Sequence, residues 1–434
     1  MNKMKFKDIL ITKDGIVKGP FGGDVKKAYF VPKGPNTYKV YEQSVVYNKD
    51  INYGNYYINA DRFEKLKRFE VEKGDILITG AGTLGELYQV PSVMERGIIN
   101  QALIRIRLNE KIIYKSFFKY YFQWYLKNVV CKINGDSVIP NLPPLAILKE
   151  TDICLPDLAI QKRISDVLDI FENKIVNNNK IWQELESMAK DMFNYWFLQY
   201  EFPNINEKPY KLFGGEMEWK EELNREIPKG WAVVTLGDVL VANRGISYNS
   251  GNLEGDGVPM INLASFGTDG TYKEDGIKSY NGDYSNDKVL KPYDLVMCNT
   301  QQTAIDFSKD IIGKAFLVPD IFEGDIVHSH HVNKVKVKTN NIKFYLCRLF
   351  NTDFFHKYIA GFTSGTNILG LDFNGIESYK TEIPNDEVLD KFAILMLDIE
   401  MKKNEIIKEN KELSSLRDFI LPLLMNGQIT FQEG

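Results

Sequence analysis

Residues 155–192 read LPDLAIQKRISDVLDIFENKIVNNNKIWQELESMAKDM, and residues 383–420 read IPNDEVLDKFAILMLDIEMKKNEIIKENKELSSLRDFI. With Pro156 aligned on Pro384, both stretches carry a matching position every seven residues, apolar everywhere except at Asn178. These seam positions are Ile164, Phe171, Asn178, Leu185 and Met192 in the first stretch and Phe392, Ile399, Ile406, Leu413 and Ile420 in the second. A seven-residue period predicts two long helices, each burying a narrow strip against one partner helix.

The two helices are the clearest secondary structure in the sequence. Residues 157–200 contain no proline or glycine, and a helix of that length would extend about 66 Å. The second helix is predicted over 385–426, with Pro422 disturbing its last turns. We expect the helices to pair antiparallel as a coiled coil, with packing into a monomeric core as the alternative. Asn178 either fixes the register of this pairing or marks a solvated bend.

The segments before the helices also repeat. The repeat predicts an α+β fold, in which two α/β globules are separated by two long helices that form an antiparallel coiled coil, with an internal pseudo-twofold repeat. Strands are expected at 75–79 and 102–108 and an aromatic helix at 114–130, with counterparts at 294–297, 332–338 and 344–358. Strict alternation in 102–108 predicts a half-buried strand. The predicted domains are globule 1–156, helix 157–200, loop linker 201–229, globule 230–384, helix 385–426 and tail 427–434.

The composition is that of a soluble protein with more than one domain, 44% hydrophobic and 26% charged over 434 residues. The net charge of −4 hides an excess of eight positive charges in residues 1–156. That bias suits a phosphate backbone, and it also fits a merely basic domain. No apolar run could span a bilayer, the N-terminus is charged, and the four cysteines form no CxxC pair. We therefore expect a cytoplasmic protein.

Two glycine-rich segments are candidate ligand contacts. The segment KGPFGGDVKK at 18–27 combines three glycines with three lysines, which suits a DNA-contacting loop and equally an ordinary surface turn. The segment GAGTLG at 80–85 fits G-x-G-x-x-G. A dinucleotide site needs a helix next, whereas ELYQVP at 86–91 predicts a strand. We therefore expect 80–85 to connect a hairpin.

Motifs for metal binding or catalysis are weak. The cluster HSHH at 328–331 has no second group of ligands, so no metal site is expected. The polar run NTQQT at 299–303 follows a predicted strand and suits either contacts to adenine or a plain surface loop. Asp157 and Glu172 mimic the PD…ExK string of nucleases, but both lie on one predicted helix, about 22 Å apart. The sequence therefore argues against catalysis by this chain.

The segment LPDLAIQKRI at 155–164, followed by NNN at 177–179 and MAKDMF at 188–193, resembles the conserved helix of the DNA specificity (S) subunits of type I restriction–modification enzymes. PKGW at 228–231 with LGDV at 236–239 is similar to the start of their target recognition domains. KGPFG at 18–22 and KGDIL at 73–77 occur in that family too. The resemblance covers the whole chain. It departs at residues 385–392, where NDEVLDKF stands in place of the usual helix entry, which contains Gln-Lys-Arg. It also departs in the first globule, which lacks the tryptophan entry.

The resemblance implies a non-catalytic subunit that binds double-stranded DNA. Two target recognition domains would each read half of a bipartite site. The paired helices would set the unread spacer and dock two adenine methyltransferase subunits, and through them the restriction/translocase (R) subunits. S-adenosylmethionine would bind to those partners, and no cofactor is expected on this chain. The ten seam positions are the expected coiled-coil and partner-docking residues.

Candidate DNA contacts are chosen by polarity and by position in turns that the repeat makes equivalent. In the first globule they are Lys18, Lys26, Lys27, Arg62, Thr79, Thr83, Asn100 and Gln101. In the second globule they are Arg244, Ser247, Tyr248, Thr300, Gln301, Gln302, His328 and His330. The main alternative is a coiled-coil scaffold with two ligand-binding globules that do not bind DNA. A nuclease acting through Asp157 and Glu172 is a more distant one.

Overall fold

The computed structural model describes residues 1–11, 14–80, 86–126, 144–253, 255–302, 309–365 and 368–429. The chain forms two compact units. Unit 1 comprises Met1–Val176 and Glu412–Gly434, and unit 2 comprises Asn177–Lys411. The predicted domain limits remain a prediction. The units are divided differently, because each includes part of both long helices.

Unit 1 is built from short strands and helices in a mixed order. Its strands are β1 (Asn2–Lys5), β2 (Ile16–Lys18), β3 (Thr37–Tyr41), β4 (Tyr57–Asn59), β5 (Glu70–Val71), β6 (Ile76–Thr79), β7 (Leu87–Gln89), β8 (Gly97–Ile99), β9 (Leu103–Ile106) and β10 (Asp152–Leu155). Its helices are α1 (Gln43–Tyr47), α2 (Ala60–Lys65), α3 (Lys115–Tyr125), α4 (Leu145–Glu150) and the first part of α5 (Leu158–Phe193).

The strands of unit 1 form one pair and two four-stranded sheets. The sheet orders are β1-β10, β2-β9-β6-β7 and β4-β3-β8-β5. All neighbours are antiparallel except β3 and β8, which run parallel. β6 and β7 form the hairpin expected around 80–85, and β7 is a strand rather than a helix. The connecting residues 81–85 lie outside the described part of the chain.

Unit 2 repeats this arrangement and adds a hairpin and a small sheet. Its strands are β11 (Met217–Lys220), β12 (Arg225–Pro228), β13 (Ala232–Thr235), β14 (Leu240–Arg244), β15 (Val258–Ile261), β16 (Lys278–Tyr280), β17 (Val289–Leu290), β18 (Leu295–Cys298), β19 (Thr300–Gln302), β20 (Ala315–Leu317), β21 (Ile326–His328), β22 (Val332–Val337), β23 (Thr363–Ser364), β24 (Ile368–Leu371) and β25 (Lys380–Ile383). Its helices are α6 (Ile342–Phe350), α7 (Asp353–Ala360), α8 (Phe373–Glu377) and α9 (Asp386–Met425), which continues into unit 1.

The sheet orders of unit 2 match those of unit 1 strand for strand. They are β13-β25, β14-β22-β18-β20 and β16-β15-β21-β17, with β15 and β21 again the parallel pair. The order β19-β24-β23 and the hairpin β11-β12 are additions. The internal repeat predicted from sequence is therefore confirmed in the topology, and with it the fold class of two α/β globules with long helices.

Within each unit the long helices pair antiparallel. In unit 1, Arg417 of α9 donates from Nη1 to Glu172 Oε1 of α5 at 2.5 Å. In unit 2, Asn178 Nδ2 donates to Glu409 Oε2 at 2.7 Å and to Asn410 Oδ1 at 3.0 Å. Asn178 is buried, so the structure agrees with a residue that fixes register and not with a solvated bend.

The ten predicted seam positions lie inside these helix pairs. Ile164, Asn178, Phe392, Ile399 and Ile406 are buried, and the other five are half-buried. The coiled-coil part of the prediction is confirmed. Their second expected role, docking a partner subunit, stays a prediction.

A cluster of four charges is buried in unit 2, where α6 packs on the helix pair. Arg348 of α6 binds Glu186 and also Glu400, the latter at 2.9 Å. Lys403 binds Glu186 at 2.7 Å and Glu400 at 3.0 Å, and it lies 4.7 Å from the centre of the Trp182 ring. Burial alone would raise the pKa of Glu186, but the two cations outweigh burial and lower that pKa to about 2. Glu186 is therefore ionised at neutral pH.

Three local predictions differ from the structure. The residues of β9 are all buried, because β9 lies between β2 and β6, and Arg105 bonds to the backbone oxygens of Glu70 and Asp14. The second aromatic helix is divided into α6 and α7 at Thr352, whose Oγ1 accepts from Phe355 N. The linker 201–229 is not all loop, because β11 and β12 form a hairpin that places Ile227 in the core.

Among the described residues, no helix has the length and apolarity needed to cross a membrane.

The buried cluster predicts unequal effects at two adjacent lysines of α9. Lys403→Met leaves a buried net negative charge and should destabilise unit 2 by about 3–5 kcal/mol. Lys402 forms an exposed ion pair with Glu405, so Lys402→Met serves as the matched control and should leave the urea midpoint unchanged. Urea denaturation of the full chain makes the comparison. Equal midpoints for the two variants would contradict the buried network.

Candidate nucleic-acid interface

The sheet β2-β9-β6-β7 of unit 1 brings most of the candidate residues of the first globule to one of its ends. β2 pairs with β9 so that Lys18 lies opposite Ile104, and β6 pairs with β9 so that Thr79 lies opposite Leu103. The turn after β2 and the segment before β9 therefore meet at the same end of the sheet. We call this surface edge 1 and define it as residues 18–27 with Asn100 and Gln101.

Edge 1 is held together by a backbone contact that requires glycine. Gly19 N donates to Leu103 O at 2.9 Å. A Cβ atom at Gly19 would lie 1.8 Å from the carbonyl oxygen of Asn100, which no side chain can tolerate. This contact fixes where the chain leaves β2, and with it the start of the lysine-rich turn.

The corresponding end of the sheet in unit 2 has the same construction. Gly245 follows β14, its N donates to Val332 O at 3.2 Å, and a Cβ atom there would lie 2.2 Å from His328 O. We call this surface edge 2 and define it as residues 244–248, 299–301 and 330–331. Gly19 and Gly245 are therefore equivalent positions of the repeat.

Edge 2 gathers several of the second set of candidates. Arg244 Nε donates to His330 O at 2.9 Å, and the rings of Tyr248 and His330 are 5.5 Å apart. His330 also packs on His331 at 3.8 Å between ring centres. Ser247 is exposed and Gln301 is half-buried. A cleft of about 510 Å³ opens beside this group, lined by Arg244, Asn299, Thr300, Asn333 and Asp372 among others.

The polar floor of this cleft is preorganised. Asn299 Nδ2 donates to Asn333 Oδ1 at 2.7 Å and to His330 O at 3.1 Å. Thr300 Oγ1 donates to Asn299 Oδ1 at 2.8 Å and contacts His331 Nδ1 at 2.8 Å. Burial and nearby cations lower the pKa of His331 to about 4. This ring is therefore neutral at pH 7, and the positive charge of edge 2 comes from Arg244 and the neighbouring Lys278.

Four candidates are buried rather than exposed, and their contact with DNA stays a prediction. Thr79, Asn100, Thr300 and His328 have little or no accessible surface, because they lie inside or directly beside strands whose two faces are covered. Asn100 Oδ1 accepts from Ala102 N and His328 Nδ1 contacts Val332 O, so both brace the backbone. Burial lowers the pKa of His328 to about 4.

Arg62 also has a structural position. Its Nε and Nη2 donate to Asp24 O at 3.0 and 2.5 Å, and its guanidinium lies 4.2 Å from the centre of the Tyr29 ring. Arg62 thus braces the turn of edge 1 from helix α2. By contrast, Lys18, Lys26, Lys27 and Gln101 are exposed. Thr83 lies outside the described residues, and for Gln302 the structure gives only the backbone, in β19.

The structure adds residues that polarity alone did not select. Asn299 and His331 belong to edge 2, Asn333 lies beneath it and binds Asn299, and Lys278 lies 6.0 Å from the Tyr248 ring. Asn333 lies opposite Arg244 in the neighbouring strand. Knowing this strand pairing would have identified Asn333 as a candidate residue. In unit 1, the aromatic ring of Phe21 projects from the turn of edge 1 and is 87% exposed.

The acids of the PD…ExK string are occupied elsewhere. Asp157 Oδ1 accepts from Ile160 N and starts α5, and Glu172 accepts from Arg417 in the helix pair. Across the described ranges, no group of three or more His, Cys, Asp or Glu residues is placed to hold a metal ion.

Comparison with known proteins finds one family twice along the chain. The model of the type I restriction modification DNA specificity domain matches residues 23–187 and 228–413. The specificity subunit of the type I restriction enzyme MjaIX of Methanocaldococcus jannaschii is 27% identical over 367 residues, covering 83% of this chain and 79% of that protein. The HindI specificity subunit of Haemophilus influenzae is 20% identical over 421 residues, covering 83% and 87%.

A solved structure has the same fold. The S subunit of a type I restriction–modification system from M. genitalium aligns over 98% of this chain and 95% of its own, with a TM-score of 0.51 at 14% identity. The first match, over residues 23–187, includes β6, β7 and β9 but begins after β2, and the second, over residues 228–413, includes all of β14, β22, β18 and β20.

Proposed function

Because this chain belongs to the family of type I restriction–modification DNA specificity proteins, we propose that it reads a bipartite double-stranded DNA site, one half with each edge. The observation that carries the proposal is the repetition of one sheet order, with the same glycine-locked edge, in both units of the chain. The chain itself would perform no chemistry.

Affinity in this proposal comes from cations that neutralise phosphates. Lys18, Lys26 and Lys27 are exposed at edge 1, and residues 1–156 carry the excess positive charge of the chain. Arg244 and Lys278 provide cations at edge 2. Such contacts give binding that weakens as salt rises and that does not depend on sequence.

Specificity would come from polar side chains at the base edges. Gln101 at edge 1 and Gln301 at edge 2 can bond an adenine in two places, and Arg244 can do the same to a guanine. The hydrogen bonds beneath edge 2 hold their neighbours in place before DNA arrives, which lowers the entropic cost of binding. The buried residues Asn100, Thr300 and His328 act as supports.

We further propose that exposed apolar residues of the long helices dock two adenine methyltransferase subunits. In unit 2, Ile181 and Met188 of α5 and Tyr195 in the turn that follows it are exposed at intervals of seven residues, as are Ile394 and Met401 along α9. In unit 1, Ile170, Val176, Leu416 and Phe419 are exposed on the same helices. Exposed apolar stripes on helices that already have a partner suit a further protein.

In this assembly, S-adenosylmethionine would bind to the methyltransferase subunits, and restriction/translocase subunits would join through them. The helix pairs would set the length of the spacer between the half-sites. The whole complex would act in the cytoplasm, where it meets DNA. The family membership supports a subunit that selects DNA for chemistry performed by others.

Neutralising two lysines of edge 1 tests the phosphate contacts. Lys26→Gln with Lys27→Gln should weaken binding to any duplex and reduce the slope of log K against log salt by about 2. The control is Lys73→Gln with Lys111→Gln, the same charge change at exposed residues near the opposite end of that sheet. Fluorescence anisotropy on a non-specific duplex gives both slopes. An unchanged slope in the first variant would remove these lysines from the interface.

Adding a charge to the exposed stripe of α5 tests docking. Met188→Glu places a carboxylate in the stripe and should abolish co-purification of the methyltransferase subunits, since a buried unpaired charge is costly. Gln183→Glu adds the same charge to another face of α5, is also exposed, and should leave the complex intact. Circular dichroism verifies that both variants keep their helices. Normal assembly of the Met188 variant would place the docking surface elsewhere.

A further inference from the structure

The aromatic ring of Phe21 is exposed to solvent. It is 87% exposed in the turn that follows β2. Single exposed apolar residues are common on proteins, and Val93 in the same unit is another, at 83%. Phe21 differs from such cases in how its backbone is held and in which charges surround it.

The turn that carries Phe21 is fixed on both sides. Before it, Gly19 is locked by backbone contact with Asn100 and Leu103. After it, Asp24 N donates to Phe21 O at 2.8 Å, and Arg62 holds Asp24 O. Val25 then enters a core with Ile58 and Phe63. The ring therefore projects from a braced turn, so ordering it on a ligand costs little entropy.

The surroundings of the ring favour nucleic acid over protein. Lys18, Lys26 and Lys27 flank it and are exposed, and the exposed Gln101 follows the Asn100 backbone on which Gly19 packs. An apolar ring framed by phosphate-neutralising lysines is the arrangement with which proteins insert a wedge between base pairs. A protein partner would have to bury those ammonium groups, which is costly without matching acids.

We propose that Phe21 is a wedge that inserts at a base step of the half-site bound by edge 1, unstacking the step and bending the duplex. This rests on the proposed function and adds a distortion to it. Lysine–phosphate contacts would place the turn, and Gln101 would read the neighbouring base. Specificity at this half-site would then include the ease with which the unstacked step deforms, beyond the bases contacted directly.

Among the described residues of unit 2, the place equivalent to Phe21 carries no such wedge. Gly19 and Gly245 are equivalent, so the position of Phe21 corresponds to Ser247. The next residue, Tyr248, packs its ring against His330 and is half-buried. The two edges therefore share a backbone and differ in this function, and only the half-site of edge 1 is bent.

The test measures DNA bending by the full chain together with its methyltransferase subunits. A duplex carrying the methylation motif of the host bears a donor dye at one end and an acceptor at the other. Wild-type protein should raise energy transfer. Phe21→Ala should lose this rise and bind about tenfold more weakly, whereas Phe21→Trp should restore both. Val93→Ala is the matched control, because it truncates an equally exposed apolar residue of unit 1, and it should behave as wild type.

Each outcome is decisive. Unchanged bending and affinity in Phe21→Ala, with wild type binding its site, would overturn the wedge and leave the specificity function standing. Loss of folding in Phe21→Ala would also overturn it, because an exposed ring contributes nothing to the core. Failure of the wild-type complex to bind any duplex would overturn the proposed function itself, and the wedge with it.

Discussion

The antiparallel pairing of the two long helices is the interaction on which both units depend. The paired segments are far apart in sequence, as Asn178 and Glu409 show in unit 2. Bringing together helix segments that are so far apart in sequence costs conformational entropy, and the burial of apolar surface offsets that cost. In unit 1 the pair is packed into a core with Phe6, Phe118 and Phe122. In unit 2 the rings of Phe193, Phe197 and Phe392 do the same, the last two 4.7 Å apart and edge to face.

Polar contacts within the helix pairs fix the register of the two helices, which the burial of apolar side chains alone does not. Apolar seams tolerate sliding by a heptad, whereas an amide or a charge left without its partner costs several kcal/mol, roughly 3–5 for a buried ion. Asn178 and the cluster of Glu186, Arg348, Glu400 and Lys403 therefore fix the register of α5 and α9 in unit 2 and attach α6 to it. In unit 1 the same task falls to Glu172, which binds Arg417, and to Asp169, which accepts from Tyr120 at 2.6 Å. Within each unit, specific bonds thus attach the globule to its own part of the helix pair.

The sequence predicted the parts of the fold that have a period. The seven-residue seam gave the two helices, and the offset between Pro156 and Pro384 gave the repeat that the sheet orders confirm. Side-chain accessibility was harder to predict, because it depends on which elements pack against each other, and the sequence does not show this. Thr79 and His328 have the polarity of contact residues, yet covered strands bury them. Phe21 is not among the predicted contacts, because those were chosen by polarity and its side chain is apolar. The hairpin of β11 and β12 has too little alternation to separate it from a loop.

The central claim is that a duplicated chain reads two half-sites for a modification enzyme whose catalytic subunits are other proteins. Methylome sequencing of the host, with and without the gene for this chain, tests it most directly. The account predicts that deletion removes methylation at one bipartite adenine motif and leaves all other motifs unchanged. An unaltered methylome, in a host whose partner methyltransferase subunits are active, would contradict it.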